Sequence, residues 1–191
     1  MMDLEYLSWK DLYTILLSLS ETIKGSFKPS LIVAILKGGV VPAIVISDLL
    51  GVDRVLTIRF RHYVDIGVRG VPTLCGELNG DVAGEAVLIV DDIADTGVTL
   101  KNVKEKVNMG GVRECKTLTV YSKPWSNPQP DFYGRMTENW VVFPWEIGET
   151  VRKLYKKYLS EGKSSNDLVA DLVGVGMRES IVTQVLSLGE N

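Results

Sequence analysis

Val87-Leu88-Ile89-Val90-Asp91-Asp92-Ile93-Ala94-Asp95-Thr96-Gly97-Val98-Thr99-Leu100 is the stretch on which the fold turns. An apolar run ends in two adjacent carboxylates. A short turn follows, carrying Asp95, Thr96, Gly97 and Thr99, and then a helical pattern begins. A continuous apolar run of this kind reads as a strand buried on both faces, as in a parallel sheet. Asp91 and Asp92 stand at its carboxyl end, where open α/β sheets place ligands. Asp95-Thr96-Gly97-Val98-Thr99 can wrap an anion at a helix N-terminus. Gly97 allows close backbone approach, exposed N–H groups donate, and the helix dipole favours negative charge. Carboxylates beside an anion cradle repel what the cradle attracts. The two are compatible if the carboxylates take sugar hydroxyls and a bridging divalent cation while the turn takes a phosphate. That combination points to a phosphorylated ribose.

Outward from this stretch, strands and helices alternate. Ser8 to Lys24 has a helical period, with Leu12, Ile15, Leu16, Leu19 and Ile23 on one face and a Ser8/Asp11 capping box. Leu31 to Leu36 is a second apolar run, closed by Lys37-Gly38-Gly39. A helix to about Leu50 follows with Pro42 in its first turn, and Arg54 to Phe60 reads as a strand. Val98 to Met109 is predicted helical, and Lys116 to Tyr121 is predicted to be a strand. This alternation predicts an α/β fold with a central parallel sheet flanked by helices. Arg61 to Pro72 lacks a sustained period, which suits a lid loop. Ser126 to Pro130 is proline-rich and irregular, and Trp140 to Glu146 is apolar and aromatic. Thr150 to Ser160 is predicted helical. Glu161 to Ser165 reads as a linker, and two short helical patterns follow between Asn166 and Leu188.

The 191 residues suit one domain with a small appendage: residues 1–160, with a hood over about 122–148, and a helical extension over 161–191. A net charge of −3 disfavours non-specific nucleic-acid binding, and the extension adds few basic residues. Cys75 and Cys115 form no CxxC pattern, so neither a zinc site nor a disulfide framework is indicated. With no leader pattern and no apolar run near membrane-spanning length, a cytoplasmic location is expected.

The Val87–Leu100 stretch resembles the 5-phosphoribosyl-1-pyrophosphate (PRPP) motif of the type I phosphoribosyltransferases. The resemblance extends over roughly Pro29 to Gly148. It implies that Asp91, Asp92, Ala94, Asp95, Thr96, Gly97, Val98 and Thr99 hold ribose and phosphate, with Mg2+ bridged at Asp91 and Asp92 directly or through water and ribose hydroxyls. Lys37-Gly38 resembles the pyrophosphate loop of the hypoxanthine–guanine enzymes. This implies pyrophosphate contacts for both residues and makes Leu36–Lys37 a candidate non-proline cis peptide.

Tyr121-Ser122-Lys123-Pro124 with Trp140 resembles the base pocket of the 6-oxopurine branch, particularly its bacterial and archaeal xanthine–guanine members. In that pocket a lysine donates to the purine O6 and an aromatic ring stacks on the base. The chemistry is apt: a carbonyl oxygen suits a cationic donor and a flat heterocycle suits an aromatic face. Val141 then presents its carbonyl to the ring edge. Glu146 stands where the family often has an aspartate near the exocyclic group. Asp95 is implied to face N7, where it can accept a proton from the attacking purine or hydrogen-bond to the protonated ring, and either is compatible with its being a helix N-cap. Arg69 is the candidate to reach pyrophosphate from the lid; His62 receives no role.

The function implied is purine salvage: transfer of a phosphoribosyl group from PRPP to guanine, hypoxanthine or xanthine by a homo-oligomeric enzyme. The alternative is a non-catalytic PRPP-binding regulator on the same fold. Lys37, Gly38, Lys123 and Trp140 favour the enzyme.

Overall fold

The computed structural model describes residues 3–62, 72–74 and 78–188. Its contacts divide the chain into two compact units, one of Leu12–Glu138 and one joining Met1–Asp11 to Asn139–Asn191.

The larger unit is built on a six-stranded sheet. The strands are β2 (Leu31–Leu36), β3 (Val55–His62), β4 (Pro72–Leu74), β5 (Ala86–Ala94), β6 (Glu114–Ser122) and β7 (Phe132–Met136), following β1 (Leu4–Tyr6) in the chain. Their order is β4-β3-β2-β5-β6-β7, with every neighbouring pair parallel except β3–β4. Val33, Ile35, Ile58, Val87 and Ile89 form one core face with Leu100, Val103 and Val107. The last three lie on α3 (Val98–Met109), whose period brings them to one side. Alternation sends Ile32, Ala34, Leu88 and Val90 to the opposite face, where they are equally buried. Burial on both faces is why these strands read as unbroken apolar runs.

The connections decide where a ligand can sit. From β2 the chain crosses through α2 (Val40–Leu50) to β3 on one side; from β5 it crosses through α3 to β6 on the other. Right-handed crossovers running in opposite directions put the two helices on opposite faces. They leave a crevice at the carboxyl ends of β2 and β5, the switch point of the sheet. The sheet is also flanked by α1 (Trp9–Ser26), which buries Leu12, Ile15, Leu16, Leu19 and Ile23. Its first turn is held by Ser8, whose Oγ donates to Asp11 Oδ2 at 2.6 Å and accepts from the Asp11 amide at 3.1 Å. The helix runs through Gly25 rather than ending at Lys24.

In the smaller unit β1 pairs in parallel with β8 (Trp140–Val142), Leu4 opposite Trp140. Three helices follow: α4 (Ile147–Ser160), α5 (Ser165–Gly174) and α6 (Glu179–Leu188). Val142, Val151, Tyr158, Leu168, Leu172, Met177 and Val182 form one core, so α5 and α6 share their apolar interior with α4 and β8. A full capping box starts α5. Ser164 Oγ accepts from the Asp167 amide, and the Asp167 carboxylate accepts from the Ser164 amide. The hydroxyl and amide of Ser164 hold the Asp167 carboxyl below its usual range. No helix among the described residues is long and apolar enough to cross a membrane.

Candidate active site

The three motifs of the larger unit follow adjacent strands. Lys37-Gly38-Gly39 follows β2, Asp95–Thr99 follows β5, and Lys123 follows β6. Strand β5 runs further than its apolar stretch alone suggests, to Ala94, so Asp91 and Asp92 lie inside the last turn of the ladder. Asp91 pairs opposite Thr119 of β6. Each carboxylate accepts from the amide that follows: Asp92 N–H to Asp91 Oδ1 at 3.0 Å and Ile93 N–H to Asp92 Oδ1 at 2.7 Å. Asp91 is buried and Asp92 half-buried.

Gly38 explains how two distant motifs become neighbours. A Cβ at residue 38 would overlap the Asp92 carboxylate, and one at Gly39 would overlap the Val90 carbonyl. The Leu36–Lys37 peptide is cis. Both helices that open here lack a side-chain cap: Gly39 precedes α2 and Gly97 precedes α3. The Val40 amide donates to the Lys37 carbonyl at 3.2 Å and the Val98 amide to Thr96 Oγ1 at 3.4 Å, and each helix turns the positive end of its dipole to this crevice. Gly97 has φ +82°, and a Cβ there would stand 2.6 Å from the Asn127 carbonyl carbon and 2.7 Å from the Pro128 oxygen. Asp95 and Thr96 are exposed, and Val98 and Thr99 are half-buried.

Residues 123–129 fold over this turn; Lys123 was expected at the site, while the parts of Trp125, Asn127 and Gln129 were missed by sequence reading. The Lys123 amide donates to the Ala94 carbonyl at 2.9 Å and the Asn127 amide to the Thr96 carbonyl at 3.0 Å. The Gln129 side chain braces the segment, donating to the Lys123 carbonyl at 2.9 Å and accepting from Ser122 Oγ at 2.6 Å. The Asn127–Pro128 peptide is cis. Lys123 is buried, with its Nζ 5.5 Å from the centre of the Trp125 ring. Trp125 Nε1 donates to Asp95 Oδ1 at 3.3 Å. A tryptophan in a proline-rich loop just past a strand end was the available signal.

Trp140, Val141 and Glu146 belong to the smaller unit. Trp140 begins β8 and is exposed; its amide donates to the Asp3 carbonyl at 2.9 Å. Val141 is buried opposite Glu5. Glu146 precedes α4, and its carbonyl accepts from the Thr150 amide at 2.9 Å. Phe143 and Trp145 stack with centroids 5.0 Å apart. Arg69 lies outside the described residues, as do the side chain of His62 and most of the expected lid.

The donor set for a metal consists of Asp91 and Asp92. Among the described residues no group of three or more His, Cys, Asp or Glu could hold an ion. Two hard carboxylates suit magnesium, which keeps several waters and takes one or two carboxylates together with substrate phosphates. They do not make an all-protein cage. A separate groove of about 410 Å³ between α1 and β7 is lined by Thr14, Ser18, Thr22, Asp131 and Arg135, and none of the candidate residues lines it.

Comparison with known proteins follows the same outline. The family model described as "Phosphoribosyl transferase domain" matches residues 4–152. A xanthine-guanine phosphoribosyltransferase of Chromohalobacter salexigens is 37% identical over 121 residues, 61% of this chain and 68% of that protein. A purine phosphoribosyltransferase from Pyrococcus horikoshii superposes with a TM-score of 0.69 at 36% identity, over 75% of this chain and 94% of that one. A xanthine-guanine-hypoxanthine phosphoribosyltransferase from Helicobacter pylori shares the fold, with a TM-score of 0.62 at 18% identity, over 80% and 99% of the two chains.

Proposed function

Since the chain belongs to the phosphoribosyl transferase domain family, we propose that it is a purine salvage enzyme. It joins guanine, hypoxanthine or xanthine to PRPP, giving a nucleoside 5′-monophosphate and pyrophosphate. The observation that carries this reading is the meeting of Gly38 with Asp92 on one side of Asp95–Thr99 and of Lys123 with Trp125 and Asp95 on the other. In this reading a phosphate-and-ribose cradle lies between a pyrophosphate loop and a cationic donor.

In this reading the amides of residues 96–99 take the 5′-phosphate, with Ala94 and Asp95 completing the loop. The uncapped start of α3 supplies the favourable dipole. Asp91 and Asp92 accept from the ribose hydroxyls and would hold a magnesium ion, directly or through water and those hydroxyls. Bound magnesium would supply positive charge to the departing pyrophosphate. Lys37 and the Gly38 amide receive pyrophosphate, and Arg69 reaches it from the lid. Lys123 donates to the purine O6, a contact that an exocyclic amino group cannot accept in the same way. Trp140, Val141 and Glu146 keep the base-binding roles that the resemblance gives them. The bond between ribose C1 and pyrophosphate oxygen breaks, a purine ring nitrogen bonds to C1, and Asp95 takes the proton that the purine loses. Positioning and electrostatics then supply most of the acceleration, without a covalent intermediate.

The enzyme is read as a cytoplasmic homo-oligomer. Residues 161–191, beyond the family match at 152, are read as an extension of a transferase domain over 1–160. The test is a PRPP- and magnesium-dependent assay against guanine, hypoxanthine, xanthine and adenine with direct detection of nucleotide. Turnover of a 6-oxopurine and not adenine is expected. PRPP binding without turnover of any base would replace this reading with a non-catalytic regulator.

A further inference from the structure

Trp125 touches two groups of the proposed base site at once, Asp95 and Lys123. Its backbone is set by bonds at both ends of its segment: Lys123 to Ala94 and Asn127 to Thr96. These two ties flank Asp95 on one segment and Trp125 on the other. The Ser126 amide closes the turn on the Lys123 carbonyl at 3.0 Å, around Pro124 and Trp125. From there the indole N–H reaches Asp95 Oδ1 at 3.3 Å, and the ring lies 5.5 Å from Lys123 Nζ. The first contact is a hydrogen bond to a carboxylate; the second is within cation–π range.

We propose that Trp125 is a positioning residue for purine transfer: its N–H aims the Asp95 carboxylate, and its ring face holds the Lys123 ammonium. This rests on the 6-oxopurine reading above. A carboxylate that takes a proton and an ammonium that reads O6 must stand at a fixed separation, because N7 and O6 of a purine do. One rigid indole bonded to both sets that separation. Lys123 has a flexible four-carbon stem, and the ring restricts where its head can go. The polar edge and the apolar face of the same side chain therefore have different tasks, and substitution can separate them.

The experiment compares wild type with Trp125→Phe and Trp125→Leu in steady-state assays with guanine and PRPP, and by calorimetry with PRPP and magnesium. Trp125 is 54% exposed, so neither change opens a buried cavity. Trp125→Phe keeps a ring face and loses the N–H. We expect kcat to fall about tenfold and KM for guanine to stay within about twofold, as for loss of one hydrogen bond to a charged group. Trp125→Leu loses both, and KM for guanine should also rise about fivefold. PRPP affinity should stay within about twofold in both, since the ties to Ala94 and Thr96 are main-chain. Unchanged kinetics in both variants, with wild type active, would overturn the role of Trp125 alone. A loss of PRPP affinity in step with the purine parameters would reduce Trp125 to loop packing and overturn it too. Inactivity of wild type towards every purine would remove the transfer reading and this inference with it.

Discussion

Gly97→Ala tests how the phosphate turn is built. At φ +82°, an L-residue costs roughly 1–2 kcal/mol. The new Cβ would also stand 2.6 Å from the Asn127 carbonyl carbon and 2.7 Å from the Pro128 oxygen, both main-chain atoms that cannot rotate away. Overpacking of this kind costs roughly 1–3 kcal/mol. The sum, roughly 2–5 kcal/mol, is a large fraction of the roughly 5–15 kcal/mol by which domains are stable. Gly51→Ala is the control. Its φ is +69° and nothing lies within 4 Å of the added Cβ, so it bears the backbone cost without the crowding. The gain from a stiffer unfolded chain is common to both and cancels in the difference. Urea unfolding of the two variants should therefore show Gly97→Ala less stable than Gly51→Ala by roughly 1–3 kcal/mol at equal m. Relief of the clash would push residues 95–99 away from 127–128, so calorimetry should show PRPP binding weakened by at least about tenfold in Gly97→Ala alone, a shift of roughly 1.4 kcal/mol. Equal unfolding midpoints for the two variants would refute the claim that residues 123–129 brace the turn.

Three further outcomes follow from other contacts. Asp95→Asn should lower kcat by two orders of magnitude or more while leaving PRPP affinity within about threefold, as for loss of a general base; equal losses in rate and binding would remove the proton-transfer role. Lys123→Ala should raise KM for guanine and hypoxanthine and leave PRPP affinity nearly unchanged, measured in the same assay. Tyr158 donates to Asp171 Oδ2 at 2.6 Å, and this bond, with burial, pushes its phenol up to about 12 from 10.0. Because the folded value is the higher, the stabilisation is complete below pH 10 and is lost as pH rises towards 12. Unfolding midpoints of wild type should thus fall more steeply than those of Tyr158→Phe between pH 10 and 12.

The elements read most closely from sequence were those whose pattern is local. The strand Leu31–Leu36 and the helix Val98–Met109 have the bounds their runs predict, since double burial and a 3.6-residue period leave little choice. The strands that escaped notice were β1, β4, β7 and β8, of three, three, five and three residues. Each is specified by its partner. β1 exists because Leu4 to Tyr6 meet Trp140 to Val142, residues far along the chain, and no window of sequence contains both. β7 is largely exposed, so its side chains carry no apolar alternation. The core that α5 and α6 share with α4 was hidden for the same reason. Amphipathic helices announce that they have an apolar face, not what covers it.

At the candidate site the residue types were legible and their supports were not. Asp91, Asp92, Asp95 and Lys123 are polar groups at strand ends, where the apolar run breaks and chemistry shows. Gln129 and Trp125 look like ordinary loop residues until the segment is seen tied to Ala94 and Thr96. Gly38 is the intermediate case. Its neighbour Gly39 fits a tight turn as well as clearing the Val90 carbonyl, but the reason for Gly38 lies 54 residues away in the Asp92 carboxylate that occupies its side-chain space. The sheet makes that contact unavoidable. β2 and β5 are adjacent and parallel at the switch point, so whatever follows one must clear whatever ends the other. A chain that needs a carboxylate at the end of β5 and a backbone amide open to an anion after β2 must leave out a side chain at one of them. Omitting it at residue 38 keeps both groups.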